Sequence, residues 1–114
     1  KKSGKIINIS SGAGITGDFS DPHYAAAKGG VIAFTKEIAH EVAKDRINVN
    51  SVAPGLVDTR MARIRPWEDE IADTLWHRVG QPEDIAYAVA YLASSASDYL
   101  TGQVISPNGG AWMQ

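Results

Sequence analysis

The sequence predicts an α/β chain in which a parallel sheet of about three strands carries helices on both faces. Strand-like and helix-like segments follow one another in the order β-α-β-α-α-β. The strand segments are β-branched runs without clean alternation, as expected for strands covered on both sides. Glycine or proline closes each of them.

The first strand is Lys5-Ile6-Ile7-Asn8-Ile9-Ser10, bounded by Gly4 and a glycine-rich stretch. A loop is expected from Ser11 to Ser20. Asp21-Pro22 then supplies an N-cap and a proline at the first helical position. From there to about Lys44, Val31, Phe34, Ile38 and Val42 recur at three- and four-residue spacing, which predicts an amphipathic helix. Residues 47–53 form the second strand, stopped by Pro54-Gly55. Residues 60–78 read as one or two short helices broken at Pro66. Pro82 opens a further helix with Ile85, Val89 and Leu92 on one face and Ser94-Ser95 at its end. Residues 102–106 make the third strand, ended by Pro107 and Gly109-Gly110.

Composition narrows the function. With 44% hydrophobic and 21% charged residues, the 114 residues read as one globular unit. Eleven basic against thirteen acidic side chains give a net charge of −2, no field for nucleic acid or anionic lipid. No apolar run approaches the ~18 residues of a membrane span. Zero cysteines exclude disulfides, thiolate catalysis and Cys-ligated metals, and fit a cytoplasmic setting. His40-Glu41 opens like a zinc-protease helix, but Lys44 stands where the second histidine is required, so no metal site is expected. A protein acting on a small molecule is what remains.

Gly12-Ala13-Gly14-Ile15-Thr16-Gly17 matches the G-x-G-x-x-G phosphate fingerprint and follows a strand. The long helix is delayed by residues 18–22, two acids lie near its start, and the second strand lacks the acidic residue that holds a ribose. The better reading is a loop beside an active site.

Tyr24 and Lys28 stand one helical turn apart, on one face. A phenol titrates near ~10 in water, and an ammonium one turn away favours the phenolate, which makes such a pair an acid–base device. By spacing alone, a core-edge aromatic beside a solvated amine is the plainer explanation. The surroundings favour chemistry: Ala25, Ala26, Ala27, Gly29 and Gly30 keep the pair's neighbourhood small, and Ser11 ends the preceding strand. Pro54-Gly55-Leu56-Val57-Asp58-Thr59 leaves the carboxyl end of the second strand, where open α/β sheets bind ligands.

These segments resemble the short-chain dehydrogenases/reductases. The resemblance is carried by Asn8-Ile9-Ser10-Ser11, Tyr24-x-x-x-Lys28, Ile47-Asn48-Val49-Asn50, Ala53-Pro54-Gly55, Gly80 to Ala86, and Thr101-Gly102-Gln103 through Asn108-Gly109-Gly110. It runs over essentially the whole chain, in the right order.

The resemblance implies the C-terminal part of a Rossmann-type doubly wound sheet, with residues 1–114 forming the later half of one nucleotide-binding domain. The opening Lys1-Lys2-Ser3-Gly4, without Met, fits an expected upstream half. Within that half would lie the phosphate-binding glycine loop, the cofactor-selecting residue and the catalytic asparagine, so NAD and NADP remain equal alternatives. The implied function is an NAD(P)-dependent oxidoreductase, most like beta-ketoacyl carrier-protein reductases, passing hydride between nicotinamide and a carbonyl or secondary alcohol. Tyr24 matches the acid–base residue, Lys28 the residue that holds the ribose, and Ser11, ahead of Ser10, the hydroxyl that polarises the substrate oxygen. Pro54, Gly55, Val57 and Thr59 match the segment that receives the carboxamide, and Tyr24 and Lys28 border the same cofactor.

Residues 60–78 match a variable lid. Arg60, Arg63 and Arg65 read as a solvated face, with contact to an anionic thioester substrate as the alternative. Ile15, Phe19 and His23 would line the opposite wall, His23 as a surface residue rather than a proton carrier. The small-residue face of the long helix and the apolar Trp112-Met113 imply a homo-oligomer, a tetramer in the full-length protein. A non-catalytic oligomerisation module, or an inactive fragment of the fold, is the competing reading.

Overall fold

The computed structural model describes residues 3–18, 21–64 and 66–114. Three strands, β1 (Gly4–Ile9), β2 (Ile47–Val52) and β3 (Val104–Ile105), form one parallel sheet in the order β1-β2-β3. Between them run α1 (Ala13–Thr16), α2 (Pro22–Val42), α3 (Glu68–Ala72) and α4 (Pro82–Ala93).

Side-chain alternation along β1 separates the two faces of the sheet. Asn8 Nδ2 donates to Thr35 Oγ1 of α2 at 3.0 Å, and Ser10 Oγ donates to the Lys28 carbonyl of α2 at 2.7 Å. Lys5, of opposite parity, reaches the turn that follows α4, where it pairs with Asp98 at 2.6 Å. α2 and α4 therefore cover opposite faces. The most deeply buried described residues include Val49, Asn50, Ser51 and Val52 of the central strand, with Thr35 and Leu92 from the two covering helices.

Several expectations need correction. The stretch after β1 is not all loop: Ala13–Thr16 make the helical turn α1, and Ser11 Oγ accepts from the Ala13 amide at 3.2 Å. That turn lies directly on α2, because a Cβ at Gly14 would stand 2.6–2.8 Å from the backbone of Lys28 and Gly29. Asp21 occupies the N-cap position of α2, but its side chain makes no capping bond. Asp18 instead accepts from the Asp21 amide at 3.3 Å. The buried stripe of α2 is led by Thr35 and Ala39, while Phe34 is 57% exposed. Small residues allow the helix to sit close to β1, and Thr35 answers the polar Asn8 there.

The break at Pro66 divides a 3₁₀ turn, Ala62–Ile64, from α3. β3 is regular over only two residues, but its ladder to the central strand is longer. Gly102 donates to Val49, Ser51 to Gln103, Ala53 to Ile105 and Gly55 to Pro107, all between 2.7 and 3.0 Å. Among the described residues, no helix is long and apolar enough to cross a membrane.

Candidate active site

Because β1 and β2 are parallel and in register at Ile9 and Val52, the chain leaves both strands at the same end of the sheet. The two exits are tied together. Ser10 N donates to Val52 O at 2.8 Å, and Gly12 N donates to Pro54 O at 3.0 Å. Onto this end α2 brings Lys28, whose Nζ donates to the Ile9 carbonyl at 3.4 Å. Tyr24 follows one turn earlier, with its ring centroid 5.9 Å from the Lys28 ammonium. Ser11, Tyr24, Lys28, Pro54 and Gly55 thus gather where parallel sheets place their ligands.

The neighbouring serines differ. Ser10 is 3% exposed and its hydroxyl is committed to the Lys28 carbonyl. Ser11 is half-buried and its oxygen accepts from Ala13, which leaves its proton free to be donated. Among the described residues, no hydrogen bond links Ser11, Tyr24 and Lys28 directly. The strand–helix contact holds them in one place.

The loop after β2 divides its backbone groups. Gly55 N is bonded to Pro107 O, so its amide is not available to a ligand, and Pro54 O is already held by Gly12. Val57 forms a parallel bridge with Gly80, through Gly80 N to Leu56 O and Asp58 N to Gly80 O. That pattern uses both backbone groups of Gly80 and neither of Val57's own. Among the described residues, the Val57 N–H and C=O carry no hydrogen bond and are a free donor–acceptor pair. Thr59 lies farther along, exposed, with its Oγ1 accepting from Ala62 N at 3.3 Å.

Two charge pairs bracket the segment from Thr59 to His77. At its start, Arg63 grips both carboxylate oxygens of Asp58 at 2.5 and 3.0 Å, and the guanidinium holds that carboxyl below the usual range. At its end, Arg78 grips Asp84 at 2.8 and 3.1 Å. With the Gln81 amide also donating to it, Asp84 is held down to about 2. Arg63 is therefore engaged by Asp58, Arg60 is exposed, and Arg65 lies outside the described residues. His23 is exposed at the start of α2, Ile15 is half-buried, and Phe19 also lies outside the described residues. A pocket of about 220 Å³ opens where Leu56, Trp76, Arg78, Gly80, Ile85 and Asn108 meet.

The two residues read as an apolar contact, Trp112 and Met113, lie differently. The Trp112 ring lies over Gly12 and Gly55 of its own chain, while Met113 is exposed. The paired small residues Gly12 and Gly55 were the available signal.

Tyr24 and Lys28 thus stand one turn apart on α2, at the carboxyl end of a parallel sheet. Residues 1–111 match the family model described as Enoyl-(Acyl carrier protein) reductase, and the chain belongs to the short-chain dehydrogenase/reductase family of oxidoreductases. It is 44% identical over 117 residues to the 3-oxoacyl-(acyl-carrier-protein) reductase FabG of Vibrio harveyi, covering 99% of this chain and 48% of that protein. The FabG of Chlamydia trachomatis serovar D is likewise 44% identical, over 118 residues, with 96% of this chain and 45% of that protein covered. The FabG of Rickettsia prowazekii is 43% identical over 116 residues, with coverages of 99% and 48%. The chain spans about half the length of the curated relatives it matches.

Proposed function

We propose that this chain is the later half of one Rossmann-type nucleotide-binding domain and carries the reaction end of an NAD(P)-dependent reductase for 3-oxoacyl thioesters. The observation that carries the reading is that Tyr24 and Lys28 of α2 lie over the ends of β1 and β2, where Ser11 and the Pro54-Gly55 loop leave the sheet. The substrate class rests on the names of the FabG relatives.

The residues present fit a nicotinamide nucleotide. Val57 offers one free N–H and one free C=O, the complement of a carboxamide. Lys28 has three donor hydrogens, of which one makes a long 3.4 Å bond to Ile9, leaving donors for ribose hydroxyls. Pro54 and Gly55 shape that wall of the site, and Thr59 sits at its outer end. Bound there, the nucleotide supplies the hydride that reduces the carbonyl carbon.

The chain's own residues manage the oxygen. Tyr24 donates its hydroxyl proton to the carbonyl oxygen as that oxygen gains charge. Lys28, beside the ring, supports the resulting phenolate through its positive charge. Ser11 donates a hydrogen bond to the same oxygen and orients it. α2 exposes Ala26, Gly30, Ala33 and Phe34, a face of small residues with one aromatic that suits packing against a second copy. We place this face in a homo-oligomer, a tetramer, of the full-length cytoplasmic enzyme, and a monomeric mass by light scattering overturns that assembly.

The test is the full-length protein with a 3-oxoacyl thioester and either NADH or NADPH. Oxidation of one nucleotide in step with formation of the 3-hydroxyacyl product supports the reading. Oxidation of neither, in a folded protein, overturns it in favour of a non-catalytic module.

A further inference from the structure

We infer that Trp112 is a positioning residue for this site: its ring sets the spacing between the loop that carries Ser11 and the Pro54-Gly55 loop. The inference rests on the functional reading above and extends it to a tail residue remote in sequence.

The tail is folded back with definite geometry. Ser106 Oγ donates to Ala53 O at 2.8 Å, and Pro107 O accepts from Gly55 N at 3.0 Å. Asn108 then organises the turn. Its Oδ1 accepts from Gly110 N at 2.7 Å, and its Nδ2 donates to Trp112 O at 3.0 Å. The indole is thereby returned onto the two loops. A Cβ on Gly12 would overlap the outer edge of the ring. A Cβ on Gly55 would lie 3.4 Å from the same ring carbon, Cη2, and 2.9 Å from Asn108. Both glycines are thus matched to one side chain.

The indole Nε1 is buried and, among the described residues, has no hydrogen-bond partner. A buried donor without an acceptor is unfavourable, so shape rather than hydrogen bonding holds the ring in place. Gly12 is covalently next to Ser11, and the bond from Gly12 to Pro54 is a polar tie between the two loops. Removing the ring leaves the Ser10–Val52 and Gly12–Pro54 bonds beside a cavity. The loops can then shift against each other while Tyr24 stays fixed by the contact between Ser10 and Lys28.

The test uses the full-length enzyme with Trp112→Ala, Trp112→Phe and Gly12→Ala. Equilibrium fluorescence titration with NADH and NADPH gives Kd, and turnover is measured per folded site. Trp112→Ala is expected to raise Kd about tenfold and to lower kcat, whereas Trp112→Phe, which keeps a ring and removes the unpaired donor, restores both to within about twofold. Adding Ser11→Ala to Trp112→Ala should cost less than Ser11→Ala costs in the native background.

Gly12→Ala, which pushes the ring, carries the test if Trp112→Ala does not fold, and the same weakening of Kd and kcat is expected. Unchanged Kd and kcat in either variant, with only a lower melting temperature, overturn the positioning role. Absence of saturable nucleotide binding in the wild type defeats the functional reading instead. The wedge is then judged by a double-mutant cycle of Gly12→Ala with Trp112→Phe on melting temperature, where additivity contradicts it.

Discussion

Ser10 donates its hydroxyl hydrogen to the main-chain carbonyl of Lys28 at 2.7 Å, so the end of β1 is fastened to the turn of α2 that carries the Tyr24–Lys28 pair. The adjacent Ser11 is half-buried, and its oxygen accepts from the Ala13 amide.

The two serines should therefore fail differently. Ser10→Ala removes one buried hydrogen bond and should lower stability by about 1 kcal/mol. Ser11→Ala should leave the melting temperature nearly unchanged and reduce turnover by about two orders of magnitude, the scale of one lost oxyanion donor. Melting curves and turnover of the two variants in the full-length protein check this, and an interchange of the phenotypes assigns the wrong serine.

Asp84 gives the chain an acid-sensitive clasp. Its carboxyl titrates near 3.8 ordinarily and is held to about 2 in the folded chain, first by Arg78 and then by the Gln81 amide. A group depressed by folding contributes its full stabilisation above the unfolded value and loses it as pH falls toward the folded one. Melting temperature should thus drop between pH 4 and 2, and Asp84→Asn should flatten that part of the profile. The pair is exposed, so added salt should shrink the difference.

Asn50, 1% exposed, bridges the central strand to the segment leading into β3. Its Nδ2 donates to Leu100 O at 2.9 Å and its Oδ1 accepts from Gln103 N at 3.0 Å. Asn50→Leu leaves both backbone groups without that partner and should cost about 2 kcal/mol or more. Denaturant unfolding of the variant measures it.

Much of this architecture was legible because its signals are local. Pro22 and Pro82 mark helix starts, Pro54-Gly55 ends β2, and the β-branched runs fall within one residue of β1 and β2. What was not legible depends on partners distant in sequence. Phe34 fits the apolar spacing of α2, but the sheet selects Thr35 because Asn8 needs its hydroxyl. The turn Ala13–Thr16 is too short to carry a period, and it docks because Gly14 lets the backbone of Lys28 and Gly29 come close. The shared face of Tyr24 and Lys28 follows from their spacing of one helical turn, while their neighbourhood and the family resemblance, not the spacing, singled them out. The engagement of Gly55 by Pro107, the free backbone of Val57 and the return of Trp112 are all made by tertiary contacts.

β1 lies at an edge of the sheet, with Ile6 and Ile9 40% and 47% exposed. An open strand edge with apolar flanks invites association. Residues 1–114 expressed alone should aggregate and bind neither NADH nor NADPH, and a segment supplying the neighbouring parallel strand should restore both folding and binding. Saturable micromolar binding by a monodisperse 114-residue chain contradicts the assignment of these residues as half of a domain.

The central claim is that Tyr24 is the proton donor, and substitution of its hydroxyl tests it most directly. Tyr24→Phe in the full-length enzyme keeps the ring beside Lys28 and removes only the oxygen. Turnover of a 3-oxoacyl thioester should fall by at least ~10²-fold, with the Kd for nucleotide nearly unchanged. Lys28→Met, measured alongside, should weaken both. Turnover in Tyr24→Phe equal to that of the wild type contradicts the account.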